Sequence, residues 1–195
     1  MSDQESSKRL SALLAILAFL IFLQLFHSCY SDLSYIRSAI HEGQVWRMLT
    51  GQWVHSNGYH LFGNAVLMLL LNSFDESHLT HRLPALMLLS CTISVGIYIF
   101  YPGLEHYLGL SGVLHGYALI LLCENLSTSF KLVCIGIFVL IAKLWAEQLG
   151  VYPHQSTARL IEVRVATEAH LLGGCAGALY CIAAKTRSKQ RKENR

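Results

Sequence analysis

The chain has 195 residues, 53% of them hydrophobic and 14% charged, with a formal net charge of +3 and a mean hydropathy of +0.43. A soluble domain carries about a quarter of its residues charged, so this composition excludes an ordinary water-soluble enzyme and points to a membrane domain. Apolar stretches recur from end to end between polar islands such as Asn72 to Arg82, which reads as a single domain over residues 1–195.

The first apolar run, "LSALLAILAFLIFLQLF", follows Lys8 and Arg9 and resembles a signal peptide, yet no A-x-A cleavage site follows it, and "FHSC" ending at Cys29 is a poor lipoprotein site. An uncleaved helix near Leu10 to Phe26 is the expectation, since about 17 apolar residues are the lower limit for crossing a bilayer. Residues 1–9 are then a short cytoplasmic N-terminus. In the first external loop, Trp46 and Arg47 read as an aromatic-belt anchor beside a snorkelling arginine.

A second helix is expected near Tyr59 to Phe74. There "YHLFGNAV" sets His60 and Asn64 at i and i+4 on one face, near the outward end. Polar groups in a membrane helix are costly and turn into the bundle or a wet cavity, which makes this pair a candidate source of oxyanion donors. An interhelical hydrogen bond for Asn64 and an interfacial place for His60 account for it equally. A third helix is expected near Pro84 to Tyr101.

The fourth helix, expected near Ser111 to Cys123 and opening with "GLSGVLHG", is too short to span. From Ser111 to Glu124 a helix covers only about 20 Å at 1.5 Å per residue, against a hydrocarbon core of about 30 Å. With Glu124 near the cytoplasmic face, the helix must begin inside the membrane, and irregular backbone at that depth needs protein or water around it. Ser111 then lies at the floor of a wet cavity, at a helix start whose free N–H groups favour negative charge.

A fifth helix is expected near Lys131 to Gln148, with Lys143 and Glu147 at i and i+4 read as an ion pair or a snorkelling lysine without a part in catalysis. A sixth is expected near Ala166 to Lys185. Six spans put both termini on one side. Lys8, Arg9, Lys185, Arg187, Lys189, Arg191, Lys192 and Arg195 make that side cytoplasmic. Outward loops carry Arg37, Arg47, Arg159 and Arg164, and inward loops add Arg82 and Lys131, so most of the bias comes from the tail at residues 186–195. That tail could bind nucleic acid or lipid, but its place just after a span makes it a topology anchor, and no nucleic-acid partner is expected.

Five of the six cysteines (Cys29, Cys91, Cys123, Cys134, Cys175 and Cys181) lie in apolar stretches without metal-ligand spacing, and they read as small buried hydrophobes. Ten histidines raise a haem or zinc hypothesis, but "HEGQV" at His41 lacks the second histidine of an H-E-x-x-H helix. No metal and no organic cofactor are expected.

A serine hydroxyl is a weak nucleophile at neutral pH and needs a base within hydrogen-bond reach. His115 is one turn deeper on the same helix. His170, in "ATEAHLLGGCAGALY", stands near the outward end of the last helix, at about the depth inferred for Ser111. Gly173 and Gly177 form a G-x-x-x-G face that lets two helix backbones approach closely, as a serine on one helix and a histidine on another require. Packing alone, with His170 as a polar helix end, explains the same residues.

"VWRMLTGQWVHSNGYHLFGN", "GLSGVLHG" and "AHLLGGCAG" resemble, in this order, the three signature regions of rhomboid intramembrane serine proteases. The resemblance covers helices two, four and six and the Trp46-Arg47 pair, and it implies an all-α membrane protein, a six-transmembrane-helix bundle. It implies Ser111 as nucleophile and His170 as general base, a dyad without a carboxylate. It further implies an oxyanion hole from His60, Asn64 and the Ser111 N–H, His55 as a water-organising or structural histidine, and support from Gly109, Gly112, Gly173, Gly177 and a packed Trp46-Arg47 loop. Many rhomboids carry a tyrosine where this chain has His115. The motif "GLSGVLHG" resembles the rhombosortase branch, bacterial relatives that process proteins ending in a GlyGly-CTERM tail. His115 is read as a support for His170, with a second proton acceptor or plain packing as the other readings. The resemblance thus implies cleavage of membrane-anchored C-terminal tails on the periplasmic side of a bacterial inner membrane, with the lipid bilayer as the other partner. Rival readings are a general rhomboid protease without a GlyGly requirement, a non-catalytic rhomboid-like client-binding protein, and a transporter or haem protein, the last lacking any inverted repeat.

Overall fold

The computed structural model describes residues 3–26, 28–75, 79–151 and 154–193. In chain order the elements are α1 (Asp3–Leu25), α2 (Ser28–Leu33), β1 (Tyr35–Ile36), α3 (Arg37–His41), α4 (Arg47–Thr50), α5 (Gly58–Phe74), α6 (Leu79–Phe100), β2 (His106–Tyr107), α7 (Ser111–Glu124), α8 (Phe130–Gln148), α9 (His154–Ile161) and α10 (Thr167–Glu193). The six helices expected as spans correspond to α1, α5, α6, α7, α8 and α10. Among the described residues Arg82–Phe100 is long and apolar enough to cross a bilayer, and Leu13–Leu25 and Ser111–Glu124 are shorter apolar helices.

α7 is the centre of the bundle, packed by α5, α6, α8 and α10. It is apolar all round, and Val113, Leu114, Tyr117 and Ile120 are buried on successive faces, as a helix surrounded by protein requires. The outer faces are apolar too. Phe19 on α1, Phe62 on α5, Leu88 on α6, Phe138 on α8 and Leu179 on α10 are each at least half exposed, while Gln52, Ser90, Ser94, Asp75 and Glu147 are buried. Exposed apolar surface on this scale, around an interior that keeps polar groups, suits a helix bundle that meets lipid.

Three boundaries differ from the sequence reading. α6 begins before Pro84, because a proline near a helix start forfeits little of the hydrogen-bond ladder. α10 continues through the basic tail to Glu193, whose Lys, Arg and Gln residues are good helix formers with no Gly or Pro among them. The segment between α1 and α5, for which the sequence predicts no elements, holds α2, α3, α4 and the strand β1, whose short antiparallel ladder pairs Tyr35 with Tyr107 and Ile36 with His106, so the chain is not purely helical.

Arg37 anchors this loop to the bundle. Its guanidinium donates to the carbonyls of Tyr98 (3.1 Å), Ile97 (3.0 Å) and Tyr101 (2.9 Å), at the C-terminal end of α6 and just beyond it, where a cation complements the helix dipole. At the opposite end Arg82 holds Asp75 in a two-pronged pair at 2.9 and 3.0 Å and reaches Glu124 at 2.8 Å, while the Tyr117 hydroxyl donates to Asp75 at 2.6 Å. This network ties the end of α5 to α6 and to the end of α7. Removing the buried charge of Asp75 strips the network of its central acceptor and leaves Arg82 with the half-exposed Glu124 alone, at a cost of about 3 kcal/mol. Asp75→Asn is therefore expected to lower the melting temperature in detergent by roughly 6–12 °C, at 2–4 °C per kcal/mol for a chain of this size. An unchanged thermal transition would show that the network is dispensable.

Candidate active site

The approach to α7 is shaped by one glycine. Gly109 has φ +105, in the left-handed region that favours glycine, and a Cβ there would lie 2.5 Å from His60 Nε2. The turn thus admits the His60 ring and starts α7 at Ser111. It is pinned from below: the Tyr107 hydroxyl lies 2.8 Å from Gln52 Oε1 and 2.7 Å from the Gly109 carbonyl, and Gln52 Nε2 donates to Ser94 Oγ at 3.0 Å. Sequence reasoning missed Tyr107, Gln52 and Ser94, whose spacing carries no signal without the fold.

α7 and α10 then approach at backbone distance. A Cβ on Gly116 would lie 2.7 Å from the Gly173 carbonyl oxygen, one on Gly112 2.8 Å from that of Ala169, and one on Gly173 would overlap the Gly112 carbonyl. Gly112 and Gly116 therefore form a second G-x-x-x-G face opposing that of Gly173 and Gly177. This close fit brings Ser111 Oγ to 2.9 Å from His170 Nε2, across 59 residues of sequence. His170 is buried and Ser111 partly exposed.

Behind His170 stands a carboxylate. The resemblance implies a dyad without one, yet both oxygens of Glu147 lie 3.0 and 3.1 Å from His170 Nδ1. Lys143 makes the expected i, i+4 pair with Glu147 and also donates to His115 Nε2 at 2.8 Å. His115 stacks on His170 with ring centroids 4.3 Å apart and planes 18° from parallel, and its Nδ1 lies 2.6 Å from the Ser111 carbonyl.

These contacts fix the protons. A carbonyl only accepts and an ammonium only donates, so His115 carries its proton on Nδ1 and uses its Nε2 lone pair on Lys143. It has no lone pair left for a serine proton. By the same logic Glu147 selects the Nδ1–H form of His170, and Nε2 is free to accept from the Ser111 hydroxyl. His115, Glu147 and His170 also bring ligand-type atoms within 4.8 Å of one another, a metal-like set. The ammonium of Lys143, bonded to two of the three, already supplies a cation there, and so the cluster does not fit a metal ion.

His60 and Asn64 lie where α5 begins, capped by Asn57, whose Oδ1 accepts from the His60 N–H at 3.0 Å. Ser56 Oγ donates to the Ile161 carbonyl and lies 3.1 Å from His60 Nδ1, so neutral His60 donates from Nδ1 and keeps a lone pair on Nε2. Asn64 is buried and gives one amide hydrogen to the His60 carbonyl at 3.2 Å, which leaves one for another acceptor. The first-turn N–H of Ser111 has no partner within its own helix. Asn64 therefore keeps one N–H and Ser111 its backbone N–H for a further acceptor, while neutral His60 offers only the Nε2 lone pair.

The supporting loop differs from expectation in one respect. Arg47 does not snorkel: it is buried and donates to the Ser31 (2.6 Å) and Ser34 (2.9 Å) carbonyls and to Gln44 Oε1 (2.7 Å). Trp46 is half exposed, with its indole N–H on the Asp32 carbonyl at 3.2 Å. His55 is buried edge-on to His60, at 5.0 Å between centroids, and burial, followed by the charge of His60, lowers its imidazole to about 3. His55 is thus neutral throughout the physiological range. A cavity of about 480 Å³ lies between the α2–β1 segment and the chain that leads into α7 and α10, lined by Tyr30, Ser34, Ile36, Tyr107, Leu108 and Ala166 among others; neither Ser111 nor His170 lines it. The described cysteines Cys91, Cys123, Cys134, Cys175 and Cys181 are free thiols; the side chain of Cys29 lies outside the described residues.

A family model described as the rhomboid domain matches residues 42–187, most of the chain. The chain belongs to the rhomboid family. Rhomboids are intramembrane serine proteases, and the matched span runs from the end of α3 into α10, so it includes His60, Asn64, Ser111, Glu147 and His170. No curated protein and no solved structure matches this rhomboid.

Proposed function

We infer that this rhomboid is an active serine endopeptidase that removes a GlyGly-CTERM-type membrane-anchoring tail from exported proteins. The cut is made near the periplasmic face of a bacterial inner membrane. The observation that carries the catalytic part is the 2.9 Å contact between Ser111 Oγ and His170 Nε2 at the start of α7. Ser111 attacks the peptide carbonyl, His170 takes its proton and returns it to the leaving amine, and water resolves the acyl-enzyme. The oxyanion is met by the Ser111 N–H and Asn64, and no cofactor takes part.

The substrate class is supported by the resemblance of "GLSGVLHG" to rhombosortases and by backbone physics. Two glycines lower the helix propensity of a tail by about 1 kcal/mol each, freeing an extended segment to reach a serine buried among helices. The membrane setting, with both termini cytoplasmic, is supported by the basic tail and the apolar outer faces. The test is cleavage in liposomes of a tail peptide with its GlyGly pair and of the same peptide with Leu-Leu instead. Cleavage of the first alone supports the reading. Equal cleavage assigns a general rhomboid specificity, and no cleavage together with no fluorophosphonate labelling of Ser111 assigns a non-catalytic client-binding protein.

A further inference from the structure

We propose that Glu147 is a positioning residue that holds and charges His170, so that Ser111, His170 and Glu147 form a relay, with Lys143 keeping the carboxylate and His115 in the arrangement the relay needs. The proposal rests on Ser111 and His170 being nucleophile and base.

An i, i+4 Lys-Glu pair on a helix normally lies in water, where it contributes little and costs little. This one does not. The Glu147 side chain is 2% exposed while that of Lys143 is 33% exposed, so the carboxylate alone is turned inward, towards α10. Withdrawing a carboxylate from water is costly unless several donors meet it. Glu147 meets the Lys143 ammonium on one side and His170 Nδ1 at 3.0 Å on the other. The second contact is what an inward rotation of the side chain gains.

The chemistry follows from donor and acceptor roles. Neutral imidazole exists as two tautomers, and only the one protonated at Nδ1 has a lone pair at Nε2 facing Ser111. A carboxylate at Nδ1 selects that tautomer and fixes the ring. When the Ser111 O–H bond breaks and the Oγ–C bond forms, the proton passes to Nε2, and the resulting imidazolium faces a negative charge. Nε2 then gives the proton to the leaving amine, and Glu147 remains ionised throughout.

Lys143 has a second effect. By occupying the His115 lone pair it keeps that ring neutral, and so the imidazolium of His170 stacks on an uncharged ring at 4.3 Å and not on a second cation. His60 faces His170 from α5, Ser111 and His115 from α7, and Glu147 from α8, with Lys143 bonded to His115 and Glu147. Of these groups only Glu147 supplies a negative charge.

The experiment measures kinact and KI for a fluorophosphonate probe on full-length protein in detergent, which requires no knowledge of the natural substrate. In Glu147→Gln the amide oxygen stays on Lys143 and its NH₂ turns to Nδ1, which forces the His170 proton onto Nε2. Loss of the orienting carboxylate in Ser-His-Asp enzymes costs about 10⁴-fold. Here kinact is expected to fall about 10²- to 10⁴-fold with KI within about twofold, and Glu147→Asp, which keeps the charge, to recover at least about tenfold of the loss.

A double variant, Lys143→Met with Glu147→Gln, separates positioning from charge balance. It leaves no unpaired ion at this site, so its melting temperature should return towards the parent value while kinact stays low. Recovery of kinact to within about threefold of the parent would overturn the proposal, because Glu147 would then serve only to neutralise Lys143. A Ser111→Ala control distinguishes the two levels of failure. Parent-rate tail cleavage by that control removes the nucleophile itself and the relay with it, whereas an inert control beside a fully reactive Glu147→Gln overturns the relay alone.

Discussion

Ser111→Ala, purified into liposomes, is expected to cleave a GlyGly tail reporter about 10⁴- to 10⁶-fold more slowly than the parent, and His170→Ala to lose a similar amount. The reason is the shared proton: with Nε2 only 2.9 Å from Oγ, neither group functions without the other, so the double variant should be scarcely slower than either single one. Asn64→Ala retains both partners and loses one oxyanion donor, for which the expected drop is about 10²- to 10³-fold. Tail cleavage by Ser111→Ala at the parent rate would mean that the chemistry lies elsewhere in the chain.

Gly173→Ala is expected to cost about as much as the loss of Asn64, without touching a reacting group. The added methyl meets the Gly112 carbonyl, a backbone atom that no rotamer change can move aside. α10 must then shift by on the order of 1 Å, and a displacement of that size at a reacting pair costs about 10²-fold in rate. Overpacking adds about 1–3 kcal/mol of destabilisation. Gly63→Ala on α5 is the control, since nothing lies within 4 Å of a Cβ there, and it should leave both melting temperature and probe labelling unchanged. If Gly173→Ala labels Ser111 at the parent rate, the close approach of α7 and α10 is not what sets the site.

Apolar periodicity made the long helices legible, because each must bury backbone polar groups in a continuous hydrogen-bonded run. α7, expected over Ser111 to Cys123, spans Ser111–Glu124, and α5, expected over Tyr59 to Phe74, spans Gly58–Phe74. Gly173 and Gly177 were legible as a contact face. Their partners Gly112 and Gly116 read only as neighbours of the serine, since which glycines oppose each other depends on helix rotation.

The same limit hid Glu147. At i, i+4 from Lys143 it satisfies the simplest rule for a surface pair, and nothing in the local sequence tells that α8 turns its carboxylate towards α10. Arg47 had two readings for a related reason: an arginine beside a tryptophan is as ordinary in an interfacial anchor as in a packed loop, and only the fold shows it buried. Here α2 and the strand after it fold back to offer it the carbonyls of Ser31 and Ser34.

The 59-residue gap between nucleophile and base also sets an order of events during synthesis. At about 5–20 residues per second a ribosome needs roughly 3–12 s to translate that interval, during which α7 has been made and α10 has not. Through that window the newborn chain holds an unactivated alcohol and is chemically inert. On the proposed mechanism the capacity to cut therefore begins only once α10 has been made and has packed against α7.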